Sequence, residues 1–233
     1  LVISTSCTYL NINSSKSAVT IDAGNSVANV YPPTGANAPA ITIDSGAAIQ
    51  QFNNNGSIVG YRSDNSGLLI NTSNSTIVEF NNNVGARISS SAVNTNSTYE
   101  AAIKNEGVIT TLNNQGSIYA SSGAGVLAYG VVVGGNGVIG TLNNASSGSI
   151  SGQLSGIIVS GTIGTLNNAG SITGGAANNA ISKDAIWVTS AGSIGVINNT
   201  GSIYSANGVD INNAGVINTL NNAQMSLLIS GNL

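Results

Sequence analysis

Ile163-Gly164-Thr165-Leu166-Asn167-Asn168-Ala169-Gly170-Ser171-Ile172 decides the fold, because the chain keeps returning to it. With Leu166 as the key position, the same place is filled by Phe52, Phe80, Leu112, Leu142, Ile197 and Leu220. Two asparagines follow each key: Asn53-Asn54, Asn81-Asn82, Asn113-Asn114, Asn143-Asn144, Asn167-Asn168, Asn198-Asn199 and Asn221-Asn222. An isoleucine sits three positions before each: Ile49, Ile77, Ile109, Ile139, Ile163, Ile194 and Ile217. Gly-Ser-Ile usually comes next, as at Gly56-Ser57-Ile58, Gly116-Ser117-Ile118 and Gly201-Ser202-Ile203. Upstream, Ala18-Val19-Thr20-Ile21-Asp22-Ala23-Gly24 matches Ala40-Ile41-Thr42-Ile43-Asp44-Ser45-Gly46, which makes Val30 the key of a degenerate eighth copy. The keys are then spaced by 22, 28, 32, 30, 24, 31 and 23 residues. Such a period with an unequal remainder marks a solenoid whose loops differ in length.

Each unit holds three short apolar elements. The first lies eleven to nine positions before the key, as in Ile41 and Ile43, Val131 and Val133, Ile186 and Val188, and Val209 and Ile211. The second runs from the isoleucine to the key, and the third is the Ser-Ile after glycine. All are brief, β-branched and bounded by Gly, Asn or Ser, which makes them strands. No stretch keeps a helical period. Three strands per turn predict an all-β chain, a parallel β-helix of about eight or nine turns rising about 4.8 Å each, with a thin aliphatic core. Asparagine suits the corners because it tolerates left-handed backbone and bonds to nearby peptide groups. Stacked in successive turns, identical asparagines are expected to bond as a ladder.

A continuous repeat over 233 residues predicts one elongated domain. Residues 1–17 fit the repeat poorly and read as a cap or an imperfect first turn; residues 18–233 read as solenoid. Gln224-Met225-Ser226-Leu227-Leu228-Ile229 is still strand-like, so the sequence reads as part of a longer solenoid. Loops are expected at 31–39, which holds all three prolines, and at 61–67, 89–99, 121–125 and 174–183.

Only five basic and eight acidic residues are present, with no histidine and a net charge of −3. Lys16, Arg62, Arg87, Lys104 and Lys183 are too scattered for the basic stripe that nucleic acid requires. Cys7 stands alone, so neither an internal disulfide nor a cysteine-based metal site is expected. No apolar run is long enough for a transmembrane helix. Gly134-Gly135-Asn136-Gly137 lacks the Lys-Ser or Lys-Thr of a phosphate loop. Asp22 and Asp44 fall in one register a turn apart, an arrangement that invites a cation if the carboxylates stack, but the favoured reading is two solvated aspartates on an outward face, since each follows an inward Ile. The basic residue nearest that register is Lys104. Tyr119 and Tyr204 follow Ser-Ile and should face outward on one side, three turns apart; Trp187 lies between inward Ile186 and Val188 and should also be exposed. These three are the candidate partner contacts, since exposed aromatics stack on sugars or anchor proteins. No catalytic set, cofactor or metal is expected.

The Thr-Leu-Asn-Asn-Ala-Gly-Ser-Ile segment at Thr165 to Ile172, with its copies from residue 18 to 226, resembles the passenger domains of type V autotransporters of Gram-negative bacteria. It looks most like the short repeat of vacuolating-cytotoxin-like autotransporters and related adhesins. The resemblance implies a right-handed parallel β-helix exported to the cell surface through an outer-membrane β-barrel. It implies partners too: a host-cell protein or glycan, or another passenger. An adhesin is the first expectation. A vacuolating-type toxin, a polysaccharide-acting β-helix enzyme and a surface-layer protein are the alternatives. The serine-protease and lipase motifs of some members do not occur in this sequence.

Overall fold

Every apolar run of the repeat becomes a strand, because inward β-branched residues alternate with polar ones and Gly or Asn stops the run at each end. The computed structural model describes residues 1–29, 39–61, 66–92, 99–122, 127–175, 183–224 and 227–231. Among them all regular elements are β-strands, arranged as a parallel solenoid with three sheets. Sheet A stacks β1 (Val2–Ile3), β3 (Lys16–Ile21), β6 (Ala48–Asn54), β9 (Thr76–Asn82), β12 (Val108–Asn114), β15 (Val138–Asn144), β18 (Thr162–Asn168), β21 (Ser193–Asn199) and β24 (Val216–Asn222). Sheet B stacks β4 (Ser26–Ala28), β7 (Ser57–Tyr61), β10 (Arg87–Ala92), β13 (Ser117–Ser122), β16 (Ser149–Gly152), β19 (Ser171–Gly174) and β22 (Ser202–Ser205). Sheet C stacks β2 (Leu10–Ile12), β5 (Ile41–Ile43), β8 (Leu68–Ile70), β11 (Tyr99–Asn105), β14 (Leu127–Val133), β17 (Ser155–Val159), β20 (Ile186–Val188), β23 (Ile211–Asn213) and β25 (Ile229–Gly231).

The core is a set of stacked columns. Ile109, Ile139 and Ile163 stand in register on sheet A, Ile118, Ile150 and Ile172 on sheet B, and Val131, Ile157 and Ile186 on sheet C; all are fully buried. Phe52 and Phe80 meet edge to face with centroids 5.0 Å apart and planes at 84°, a favoured aromatic geometry. On sheet A the isoleucine and the key are both inward although three residues apart. A strand of period two cannot do this without an extra residue. Pairing accordingly skips Thr110 and Gly140 between Ile109↔Ile139 and Thr111↔Thr141, so a bulge is stacked from coil to coil.

Three register expectations are corrected. Val19, not Val30, pairs with Phe52, so the degenerate copy has its key in β3; Val30 lies outside the described residues. Ala18–Gly24 and Ala40–Gly46 are alike because both end in the same turn, closed by Asn25 N–H donating to Asp22 O (3.1 Å) and Ala47 N–H to Asp44 O (3.0 Å). That turn closes one strand of sheet A and one of sheet C, so local likeness does not mean a shared register. Finally, Ile211 and Asn213, not Val209 and Ile211, align with Ile186 and Val188, because the corner after Asn213 is shorter.

Strands also reach into expected loops. Arg87–Ala92 is a strand where residues from 89 on were expected to be loop, with Ser91 paired to Ser121 of β13. Backbone pairing to the next coil does not depend on the side chains being apolar. The connections from sheet B to sheet C include β4 to β5 and β19 to β20, the two longest between named strands, and also β7 to β8, β10 to β11 and β13 to β14. Residues 30–38, 62–65, 93–98, 123–126 and 176–182 within those connections lie outside the described residues.

Candidate interaction surface

The asparagine pairs form two separate ladders. The second asparagine of each pair from Asn54 to Asn199 points inward at the corner from sheet A to sheet B and is buried, while Asn222 in the last coil is exposed. Its Nδ2 donates to the next coil: Asn54 to Asn82 Oδ1 (2.9 Å), Asn82 to Asn114 (2.7 Å), Asn114 to Asn144 (2.8 Å), Asn144 to Asn168 (2.8 Å), Asn168 to Asn199 (2.7 Å) and Asn199 to Asn222 (2.7 Å). The other amide hydrogen reaches the first carbonyl of the next sheet B strand, as from Asn114 to Ser149 O (3.1 Å). A backbone carbonyl can only accept, and of the two ends of an amide side chain only the nitrogen donates, so this second bond fixes which way the inner amides from Asn54 to Asn168 face. The outer asparagines run in the opposite sense: Asn81 donates to Asn53 (3.0 Å), Asn113 to Asn81 (2.9 Å), Asn143 to Asn113 (2.9 Å), Asn167 to Asn143 (2.8 Å), Asn198 to Asn167 (2.8 Å) and Asn221 to Asn198 (2.8 Å). The two columns of amide dipoles therefore oppose each other along the axis. Their side-chain groups are engaged within the protein, so these asparagines build the frame on which the surfaces are displayed.

The same corner device occurs at sites the repeat does not advertise. Gly56 N–H donates to Asn54 Oδ1 (3.2 Å), Gly107 N–H to Asn105 Oδ1 (3.1 Å) and Gly215 N–H to Asn213 Oδ1 (3.2 Å). Asn-x-Gly thus makes a tight corner after sheet C as well as after sheet A.

The candidate aromatic contacts do not converge. Tyr119 and Tyr204 are exposed on sheet B, linked in register through Ser151 and Thr173, and the Arg87 guanidinium lies 5.9 Å from the centre of the Tyr119 ring. Trp187 is on sheet C and is half-buried rather than free in solvent. It packs with Leu127 and Ile158 against Ala101, Tyr129, Val132 and Leu154, a second apolar cluster distinct from the core. Val132, Ile158 and Trp187 pair in register on successive coils and form the spine of this outer stripe. A sequence signal for it existed. Val131-Val132-Val133, Ile157-Ile158-Val159 and Ile186-Trp187-Val188 each break the expected in–out alternation with a third apolar residue.

Beside the stripe lies a cleft of about 260 Å³ lined by Glu106, Tyr129, Val132, Gly134, Gly135, Ile158 and Ser160. Lys104 Nζ stands 3.5 Å from Glu106 Oε1. Shallow grooves also run along the outer ladder, one of about 290 Å³ bordered by Asn143, Asn167 and Asn198 and one of about 170 Å³ bordered by Asn81 and Asn113.

Asp22 and Asp44 are not stacked. Asp22 follows a strand of sheet A and Asp44 a strand of sheet C, and the neighbour along the axis from Asp44 is Asn71, whose Nδ2 donates to Asp44 Oδ1 (3.3 Å). Lys104 is in register with Leu69 and not with either aspartate. No group of three or more His, Cys, Asp or Glu side chains able to hold a metal occurs among the described residues. Asp184 and Asp210 instead hold backbone and side chains near one end: Asn212 Nδ2 donates to Asp184 Oδ2 (2.9 Å), and Ser205 N–H to Asp210 Oδ1 (2.8 Å).

Compared with known proteins, the chain matches no family model, no curated protein and no solved structure.

Proposed function

We propose that this chain is the passenger of a type V autotransporter and serves at the bacterial surface as an adhesin, binding rather than catalysing. The β-solenoid is consistent with a passenger or other surface protein. The observation that carries the adhesive reading is the outer apolar stripe Val132–Ile158–Trp187 on sheet C. Val132 is buried, and Ile158 and Trp187 are the half-exposed members of the stripe; apolar side chains reaching the surface of a polar rod give a partner a foothold.

The test is to display the chain on a non-adherent bacterium, then score attachment to epithelial cells and bacterial clumping together. Attachment or clumping that falls to background in Ile158→Asp and Trp187→Asp, at equal surface display, supports the reading. Display without attachment or clumping counts against it, and a soluble protein that alters cells by itself would favour the toxin alternative.

A further inference from the structure

The cleft beside the stripe has a composition that selects among ligands. Its apolar side is the half-exposed Ile158 with the largely buried Tyr129 and Val132; its polar groups are Glu106 and Ser160; Gly134 and Gly135 present backbone without side chains. Glu106 lies flat on that backbone, so close that a Cβ on Gly134 would stand 2.1 Å from its Oε2. Lys104 pairs with Glu106, which leaves the cleft without excess charge. A charged partner therefore gains little there, since the pair is partly solvated and already self-compensated. The Glu106 carboxylate still accepts strongly, while Lys104 stands beside the cleft and is not part of its lining. The Ser160 hydroxyl accepts from Thr189 Oγ1 (3.2 Å), which leaves its own hydrogen to give away. A mainly aliphatic wall facing a carboxylate acceptor and a hydroxyl donor, with the carboxylate's charge offset by Lys104, suits a ring with C–H faces and hydroxyl edges. At about 260 Å³ the cleft falls just below the range of about 300–1,000 Å³ usual for ligand pockets, which fits a single ring.

We propose that this cleft binds one ring of a neutral sugar, and that Trp187, one coil beyond Ile158 in the same file, receives the next ring of a linear glycan. The two positions are one strand spacing apart, about 4.8 Å along the axis. The proposal names the ligand class of the adhesive surface and rests on that reading.

The purified chain would be titrated by ligand-observed NMR with galactose, mannose, glucose and N-acetylglucosamine, with linear tetramers of each, and with a lysine-rich peptide. At least one neutral sugar should saturate, its tetramer binding more tightly than its monomer. Glu106→Gln, which keeps the side chain's shape, should weaken both about tenfold by loss of a charge-assisted hydrogen bond. Trp187→Ala should weaken the tetramer and leave the monomer unchanged, and Tyr204→Ala on sheet B should change neither. Saturation by no neutral sugar, preference for the peptide, or tetramer binding indifferent to both Glu106→Gln and Trp187→Ala would overturn the site. Attachment of displaying bacteria without any sugar binding overturns the sugar site and leaves adhesion standing. Sugar binding without attachment supports the site and removes the adhesin reading.

Discussion

Asn143 and Asn144 are adjacent, chemically identical and in ladders, yet their removal should have very different costs. Asn144 is 1% exposed. Its side chain donates to Asn168 Oδ1 (2.8 Å) and Ser171 O (3.1 Å) and accepts from Asn114 Nδ2 (2.8 Å). Three net hydrogen bonds at about 1 kcal/mol each give about 3 kcal/mol, and stranding the buried amides of Asn114 and Asn168 adds about 1–2 more. Asn143 donates to Asn113 (2.9 Å) and accepts from Asn167 (2.8 Å) at a half-exposed site, where water replaces what is lost. Its truncation should cost about 1 kcal/mol. Alanine variants at the two positions would be unfolded in urea and followed by circular dichroism. With a slope of roughly 2 kcal/mol per molar urea, the difference of about 3–4 kcal/mol moves the midpoint by about 1.5–2 M. Equal midpoints, or a larger loss for Asn143→Ala, would refute the argument that the inner ladder is what binds coil to coil.

Gly170→Ala should prevent soluble folding or lower stability by more than about 3 kcal/mol, because its Cβ would stand 2.2 Å from Gly148 O and 2.3 Å from Ala145 O. Gly135→Ala, where a Cβ meets nothing within 4 Å, should melt near the parent temperature. Phe80→Ala should cost about 3–5 kcal/mol by opening a cavity under Phe52, measurable as a fall in urea midpoint. Gln224→Ala should speed amide hydrogen exchange at Ile203 and leave Ile118 unchanged. The Gln224 Oε1 accepts from Ile203 N–H (3.1 Å) and from Asn199 Nδ2 (3.1 Å), standing in for a further strand beside β22.

The repeat made the strand-forming runs and their parallel stacking legible, since period-two burial and a recurrent Leu-Asn-Asn leave few other folds. The places where reading failed share one cause. Ala18–Gly24 and Ala40–Gly46 look like one register because they end in one turn type, and only pairing to the next coil separates them. Asp22 and Asp44 were drawn together by the same likeness. Val209 was misplaced because the short Asn213-Ala214-Gly215 corner shifts the register by two residues. Of the candidate contacts, Tyr119 and Tyr204 share one face, but Trp187 belongs to another and shares its surroundings with Tyr129, Leu154 and Ile158. These neighbours come from different coils, so no local window contains them.

What the sequence determines by itself is local and periodic: which residues point inward, where strands stop, and that seven consecutive asparagine pairs will stand in file. A residue's neighbours along the chain decide those properties through backbone geometry and alternation. The tertiary structure alone decides that the paired asparagines split into two ladders of opposite sense, and that Glu106, Tyr129, Ile158 and Ser160 border one cleft. Those are contacts between successive coils, and their register depends on corner lengths accumulated around each turn.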